Sequence, residues 1–314
     1  MPTMKKKSFL VTGGTGFIGS GISERLVQSG HKVTIFDNNS RGKISRIEKI
    51  NKKIKFIKGD IRDKKSVLKS LKKIDAVIHL AYINGTKFFY EKPEIILDVA
   101  VKGLINIFDG CINNKIKELY LASSSEVYQT PIKIPTNENE PLKIPDIFNP
   151  RLSYGGGKIL TELMGINYGR KFFKKLIIFR PHNVYGPDMG NEHVIPEFIN
   201  QFKRLKGKNF YIQGSGFESR SFIYIDDFVN AFECIINKGK HLNIYNIGTS
   251  EKVTIKQLVG KLSKIFKKKI KIKKNSLTQG STKKRLPNIT KIKKLGFKQK
   301  IKLDQGLENL VHKF

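Results

Sequence analysis

Short apolar runs and amphipathic segments alternate along the first half of the chain. Ser8–Thr12 is apolar and runs into glycines, which marks a buried strand, and Phe17–Ser29 continues with helical spacing. Lys32–Phe36 reads as a second strand ending at Asp37, and Lys55–Lys58 as a third ending at Gly59-Asp60. A helix is predicted over Lys64–Lys72, a strand over Ala76–Leu80 and a long amphipathic helix over Pro93–Asn113. Leu119–Ser123 is another strand, Arg151–Phe173 a helix and Leu176–Arg180 a strand. Strands that alternate with helices of this length imply crossovers and a parallel sheet.

Beyond Pro181 the rhythm changes. Turn signals cluster at Gly186-Pro187, Gly190-Asn191 and Gly214-Ser215-Gly216, with a strand at Asn209–Gln213 and a further segment at Ser221–Asp227. The Lys-rich stretch Lys267–Lys284 is low in apolar residues and is expected to be a mobile loop. The expected fold class is therefore α/β: a Rossmann-like doubly wound parallel sheet with a smaller C-terminal α/β lobe. The boundary falls near residue 180, giving a sheet domain at 1–180, with later returns to the sheet around 221–250, and a lobe at 181–314.

Composition narrows the picture. The chain has 314 residues, 39% of them hydrophobic, enough for a sizeable core, and no apolar run of membrane-spanning length. Its two cysteines, Cys111 and Cys234, lie far apart in apolar-periodic segments, as buried thiols of a reducing cytoplasm would. The net charge of +34 comes mostly from lysines spread along the whole chain. Lys, Ile and Asn share AT-rich codons, so biased genome composition accounts for the pattern as well as a polyanionic partner does. No zinc-finger spacing or aromatic-interleaved basic module is present, so neither a metal site nor a nucleic-acid partner is expected. A positive field remains suited to drawing in a diphosphate.

The segment Val11-Thr12-Gly13-Gly14-Thr15-Gly16-Phe17-Ile18-Gly19 joins a predicted strand to a predicted helix. Gly13, Gly16 and Gly19 let the backbone approach a pyrophosphate, which the free N–H groups and dipole of the helix start then bind. Asp37 ends the next strand, where its carboxylate would accept ribose hydroxyls and repel a 2′-phosphate, favouring NAD over NADP. Asp60 and Ile61 follow the third strand near the expected adenine, and Leu80 and Ala81 end the fourth at the sheet's ligand-binding edge.

Tyr154 and Lys158 are four residues apart on a predicted helix and share one face. An ammonium beside a phenol stabilises the phenolate and lowers its pKa, making Tyr154 a base for a sugar hydroxyl. Ser124, just past the fifth strand, would hold the same oxygen.

In this order, the motifs resemble the extended short-chain dehydrogenase/reductase superfamily, in its nucleotide-sugar epimerase/dehydratase branch. The resemblance implies tightly held NAD, a nucleotide-diphosphate sugar substrate, and catalytic positions at Ser124, Tyr154 and Lys158. It implies that Pro181 and Val184, within Arg180–Pro187, flank the nicotinamide and that Asn183 contacts substrate. It assigns the diphosphate to Arg220 and Arg285, and a homodimer to the helices Pro93–Asn113 and Arg151–Phe173. Asn84 and Ser125 are expected in the sugar pocket, with Tyr82–Thr86 lining it.

Two departures stand out. Ala100 occupies a place where such proteins often carry Asn, and Gly155-Gly156-Gly157 separate Tyr154 from Lys158 where Ala-Ser is commoner. Three glycines cost a helix roughly 1 kcal/mol each relative to Ala, so close access by a cofactor or loop is expected there. Glu126 discriminates between reactions. In Ser-Ser-Glu-Val-Tyr it resembles the acid of sugar dehydratases and decarboxylases, so a 4-keto intermediate leading to 4,6-dehydration or decarboxylation is expected. A turn-capping role for Glu126, a 4-epimerase, and a non-catalytic NAD, nucleotide-sugar or RNA binding module are the alternatives.

Overall fold

The computed structural model describes residues 6–277, 280 and 282–312. Its centre is a seven-stranded sheet built from β1 (Ser8–Thr12), β2 (Lys32–Asp37), β3 (Ile54–Lys58), β4 (Ala76–His79), β5 (Glu118–Ala122), β6 (Lys175–Pro181) and a last strand, Asn243–Ile247. The spatial order is β3, β2, β1, β4, β5, β6 and Asn243–Ile247, every pair parallel. The order reverses between β1 and β4, which opens a crevice at their carboxyl ends.

Both faces of the sheet are buried, so each strand sends alternate residues to different cores. Phe9 and Val11 pack into one cluster with Ile78, Tyr120, Ile177 and Phe179. Leu10 packs into the other with Val77, Leu119, Leu121 and Ile178. This two-sided burial is why the strands read as continuous apolar runs.

The predicted elements match the observed ones within two residues at most ends, as for Phe17–Gln28, Lys64–Ser70 and Leu152–Phe172. Residues 93–113 form one helical stretch, with π geometry at Val99–Gly103 separating two α-helical parts. The segment Ser221–Asp227 divides into a short strand, Ile223–Tyr224, and the start of a helix, Ile225–Lys238.

A further core lies beyond residue 181, where Phe198, Phe202, Phe210, Leu258 and Leu307 pack together. Its helices Val194–Arg204, Ile255–Ile265 and Leu303–Val311 each bury one face. One expectation fails here. Lys267–Lys284 contains the strand Lys271–Asn275, paired in parallel with Asn209–Gln213 along five residues. The lysines point outward from this edge strand, and the backbone ladder and Ile272 hold it against the lobe, so the composition of its side chains did not report its backbone pairing. Thr278, Gln279 and Ser281 of that stretch lie outside the described residues. No helix among the described residues is long and apolar enough to cross a membrane.

Candidate active site

The turn after β1 is shaped by backbone neighbours. Gly13 has φ +71, and a Cβ there would stand 2.7 Å from the Ala81 backbone nitrogen. A Cβ on Gly19 would overlap the Gly13 carbonyl oxygen. Gly16 precedes the Phe17–Gln28 helix and no side chain caps it, so the first-turn N–H groups, including those of Phe17 and Ile18, remain open to an anion.

Beside this turn lies a cavity of about 300 Å³, lined by Gly13, Gly16, Asp37, Asp60, Ile61, Leu80, Ala81 and Tyr82 among others. Asp37 accepts the backbone N–H groups of Thr15 (3.0 Å) and Asn39 (2.8 Å), one on each oxygen. Each oxygen keeps a lone pair for a further donor. Arg41 is paired with Glu192 at 3.0 Å and lies against the Phe88 ring rather than on Asp37. Asp60 accepts from Arg62 (2.7 Å) and Asn38 (3.0 Å), and these bonds hold its carboxyl down at about 2. An open helix start, a glycine cradle and a carboxylate at the end of β2 fit a dinucleotide with free ribose hydroxyls.

At the neighbouring carboxyl end of β5, Ser124 accepts the Glu126 N–H at 3.2 Å and so caps the short turn Ser125–Tyr128. The cap is thus Ser124, and the Glu126 side chain is free for other work. That side chain pairs with Arg285 at 2.9 Å, across 159 residues of sequence. Burial opposes its charge, but Arg285, Arg151 and Arg220 together hold its carboxyl below the ordinary range. Arg220 is itself lowered to about 10, by burial and by Arg285. Three cations around one carboxylate leave an excess of positive charge, and the Arg285 Nε has no partner among the described residues. Such a cluster suits a diphosphate or a second carboxylate.

Tyr154 is buried in an apolar nest with Phe89, Ile96, Tyr82 and Ile83. Burial pushes its phenol up to about 12, against the hydrogen bond from Ser124, which lowers it. Lys158 is also buried, and burial brings it down to about 7. Its ammonium donates to the Ala122 carbonyl at 2.7 Å and lies 3.7 Å from the centre of the Tyr82 ring, but 5.9 Å from that of Tyr154. Without a bound cofactor, burial is the largest influence on the phenol, Arg285 acts against it, and the Lys158 ammonium faces the Tyr82 ring.

The Leu152–Phe172 helix is fixed to the sheet one turn further on. Arg180 of β6 makes a two-pronged pair with Glu162 (2.7 and 2.5 Å) and also donates to Tyr128 at 2.6 Å. Burial works against the Arg180 charge, yet these bonds outweigh it and raise its pKa. Ser123 donates to the same Glu162 carboxylate. The sequence reading missed this buried pair, and also Arg151, because neither belongs to a recognisable local pattern.

The remaining expected residues are placed as follows. Ser125 is buried in the turn. Asn183 has φ +36 and donates to the Ser221 carbonyl at 2.9 Å. Pro181 ends β6 and Val184 begins the strand Val184–Tyr185. Asn84 is exposed, whereas Tyr82 and Ile83 line the cavity itself.

The glycine run now has a physical account. A Cβ at 155 would meet the Gln129 amide at 2.9 Å, one at 156 the exposed Ile144 at 3.3 Å, and one at 157 would overlap the Tyr82 hydroxyl. The Ala100 Cβ stands 3.0 Å from that last position, so the two departures, at 100 and 157, face each other.

Comparison with known proteins agrees with this geometry. The model of the NAD dependent epimerase/dehydratase family matches residues 9–248. A UDP-N-acetyl-alpha-D-glucosaminuronate decarboxylase of Bacillus cytotoxicus is 32% identical over 98% of both chains. A putative UDP-glucose 4-epimerase of Methanocaldococcus jannaschii is also 32% identical, over 96% of this chain and 97% of its own. Among solved structures, the UDP-glucose 4-epimerase of Thermotoga maritima with UDP-glucose superposes with a TM-score of 0.88 at 28% identity, covering 98% of each chain.

Proposed function

The chain belongs to the NAD dependent epimerase/dehydratase family, as an NAD-dependent enzyme of nucleotide-sugar metabolism, and on that premise we propose that it decarboxylates a nucleotide-diphosphate hexuronic acid through a 4-keto intermediate. The observation that carries this reading is the charged Glu126–Arg285 pair next to Tyr154.

NAD, when bound, supplies the hydride acceptor. The turn residues Gly13, Gly16 and Gly19 admit its pyrophosphate onto the N–H groups of Phe17 and Ile18, Asp37 receives ribose hydroxyls, and Asp60 and Ile61 flank the adenine. Leu80, Ala81, Pro181 and Val184 wall the nicotinamide end. The Tyr154 phenol must first lose its own proton, which the positive charge of Lys158 and of a bound nicotinamide would favour. The phenolate then accepts the proton of the sugar 4-hydroxyl while Ser124 donates to the same oxygen, and Lys158 donates to the adjoining ribose. Arg220 and Arg285 grip the diphosphate, with Ser125, Asn183 and Asn84 around the sugar.

The choice of reaction follows from proton supply. Dehydration must take the carbon-5 proton with a base and deliver a proton to the departing 6-hydroxyl. The arginines that hold the Glu126 carboxyl below its ordinary range make it a poor group for taking up and passing on that proton. Decarboxylation needs no such acid. The bond from carbon 5 to the carboxylate breaks, its electron pair moves into the 4-keto group, and carbon dioxide leaves. A proton from solvent then adds to carbon 5, and Tyr154 returns the proton to the 4-oxygen as carbon 4 takes its hydride back from the reduced cofactor, so that carbon dioxide alone is lost. Arg151, the third cation acting on Glu126 and one that the diphosphate does not engage, holds the sugar carboxylate until carbon dioxide leaves. The similarity to the Bacillus cytotoxicus decarboxylase along the whole chain supports the same outcome.

Incubation with UDP-, GDP- and TDP-linked hexuronic acids and hexoses, read by mass spectrometry, tests the reading. Loss of carbon dioxide from a uronic acid is the expected result. Loss of water, or an isomer of equal mass, would replace it with dehydration or 4-epimerisation. No product from any donor would leave a binding protein. Replacing Tyr154→Phe should lower turnover by about 10²–10⁴-fold with NAD binding unchanged. We also propose a homodimer packed through the 93–113 and Leu152–Phe172 helices, where Leu97, Ile105 and Leu163 are exposed. Sedimentation of wild type against Leu163→Glu checks it, with dissociation to monomers expected.

A further inference from the structure

Tyr82 carries a combination that no step above uses. Its hydroxyl is buried and has no hydrogen-bond partner among the described residues. Its ring stands edge-on to Tyr154, centres 5.2 Å apart at 86°, and its face carries the Lys158 ammonium at 3.7 Å. The space for its hydroxyl exists because position 157 has no side chain and position 100 has only a methyl group. We infer that Tyr82 is a positioning residue for Lys158: its ring face holds the ammonium at the cofactor cavity, and Gly157 and Ala100 exist in their small forms to seat it.

The physics is a cation over an aromatic face in a desolvated place, where the attraction is stronger than in water. The other groups facing Lys158 are few. The Ala122 carbonyl of β5 accepts from it, Glu162 on its own helix favours its charge, and His79 of β4 lies near enough for the lysine to depress it. His79 itself is buried and lowered to about 3, so it is neutral and brings no opposing charge. With the Arg180 guanidinium already binding Glu162, the Ala122 carbonyl and the Tyr82 ring are the supports left for an ammonium that burial otherwise drives toward the neutral amine.

This inference rests on the placing of Lys158 at the nicotinamide ribose proposed above, and not on which sugar reaction follows. The test is NADH binding to the full chain freed of nucleotide, followed by NADH fluorescence from pH 5 to 10. A charged Lys158 donates more strongly to ribose hydroxyls, so affinity should be high at low pH and fall as the lysine loses its proton. Replacing Tyr82→Leu keeps apolar volume but removes the ring. The midpoint of that fall should move to lower pH by about half to one pH unit. Tyr82→Phe keeps the ring and should keep the wild-type midpoint. Gly157→Ala should act like Tyr82→Leu, because its methyl displaces the Tyr82 hydroxyl, and adding Tyr82→Phe should restore the midpoint. A merely structural role would weaken binding equally at every pH. An unmoved midpoint in both Tyr82→Leu and Gly157→Ala overturns the role of Tyr82 alone. A wild-type chain that binds no NADH overturns the cofactor site on which it rests.

Discussion

Two glycine runs serve this molecule in opposite ways. In the turn after β1, the space above Gly13 is taken by the backbone of Leu80 and Ala81, and that above Gly19 by the Gly13 carbonyl. In the Leu152–Phe172 helix, the space above Gly155, Gly156 and Gly157 is met first by side chains of Gln129, Ile144 and Tyr82, with the Glu126 carbonyl also 3.3 Å from a Cβ at 155. The first run is needed for what the main chain does there, and any family using that turn must repeat it. The second is shaped mostly by side-chain neighbours, Tyr82 above all, so the need for glycine changes when a neighbour changes. Backbone cannot move aside without breaking the sheet, whereas a side chain can be exchanged for a smaller one.

Substitution by alanine sharpens this contrast, and the effects should fall in order. Gly13→Ala should cost the most, about 3 kcal/mol, from the left-handed φ and the backbone overlap together. Thermal unfolding and NAD retention should both fall, and no second-site change at Ala81 should rescue them. Gly157→Ala should cost about 1–2 kcal/mol, the crowding of Tyr82 being partly offset by the gain of about 1 kcal/mol in helix propensity. Here Tyr82→Phe should recover stability, and failure to do so would break the comparison. Gly156→Ala should have the smallest effect and the opposite sign. Its methyl meets only Ile144, which is 46% exposed and free to turn, so stability should rise by about 0.5–1 kcal/mol in denaturant titration.

The same division runs through the active site. Burial makes Tyr154 a weaker acid, at about 12, and Lys158 a weaker base, at about 7, so the two shifts bring their proton affinities apart from the ordinary values in opposite directions. The apolar nest of Phe89, Ile96 and Ile83 packs around Tyr154, yet none of these residues is near the pair in sequence. From spacing alone the lysine is expected to act on the phenol. The fold adds a third group, Tyr82, on whose ring the ammonium rests.

Much of this protein was legible before any coordinates. Strands buried on both faces must be apolar throughout, and a phosphate-binding turn must lack side chains, so the sheet, its first turn and the acid at Asp37 are written in consecutive residues. The Tyr154–Lys158 spacing is likewise local. The Lys271–Asn275 strand was not legible, because an edge strand held mainly by main-chain bonds need not be apolar. Nor was the pairing of Glu126 with Arg285, of Glu162 with Arg180, or of Tyr82 with Gly157 and Ala100. Local periodicity records which way a residue faces. Only the closed tertiary structure decides what it faces, and in a desolvated site that neighbour sets both its charge and its work.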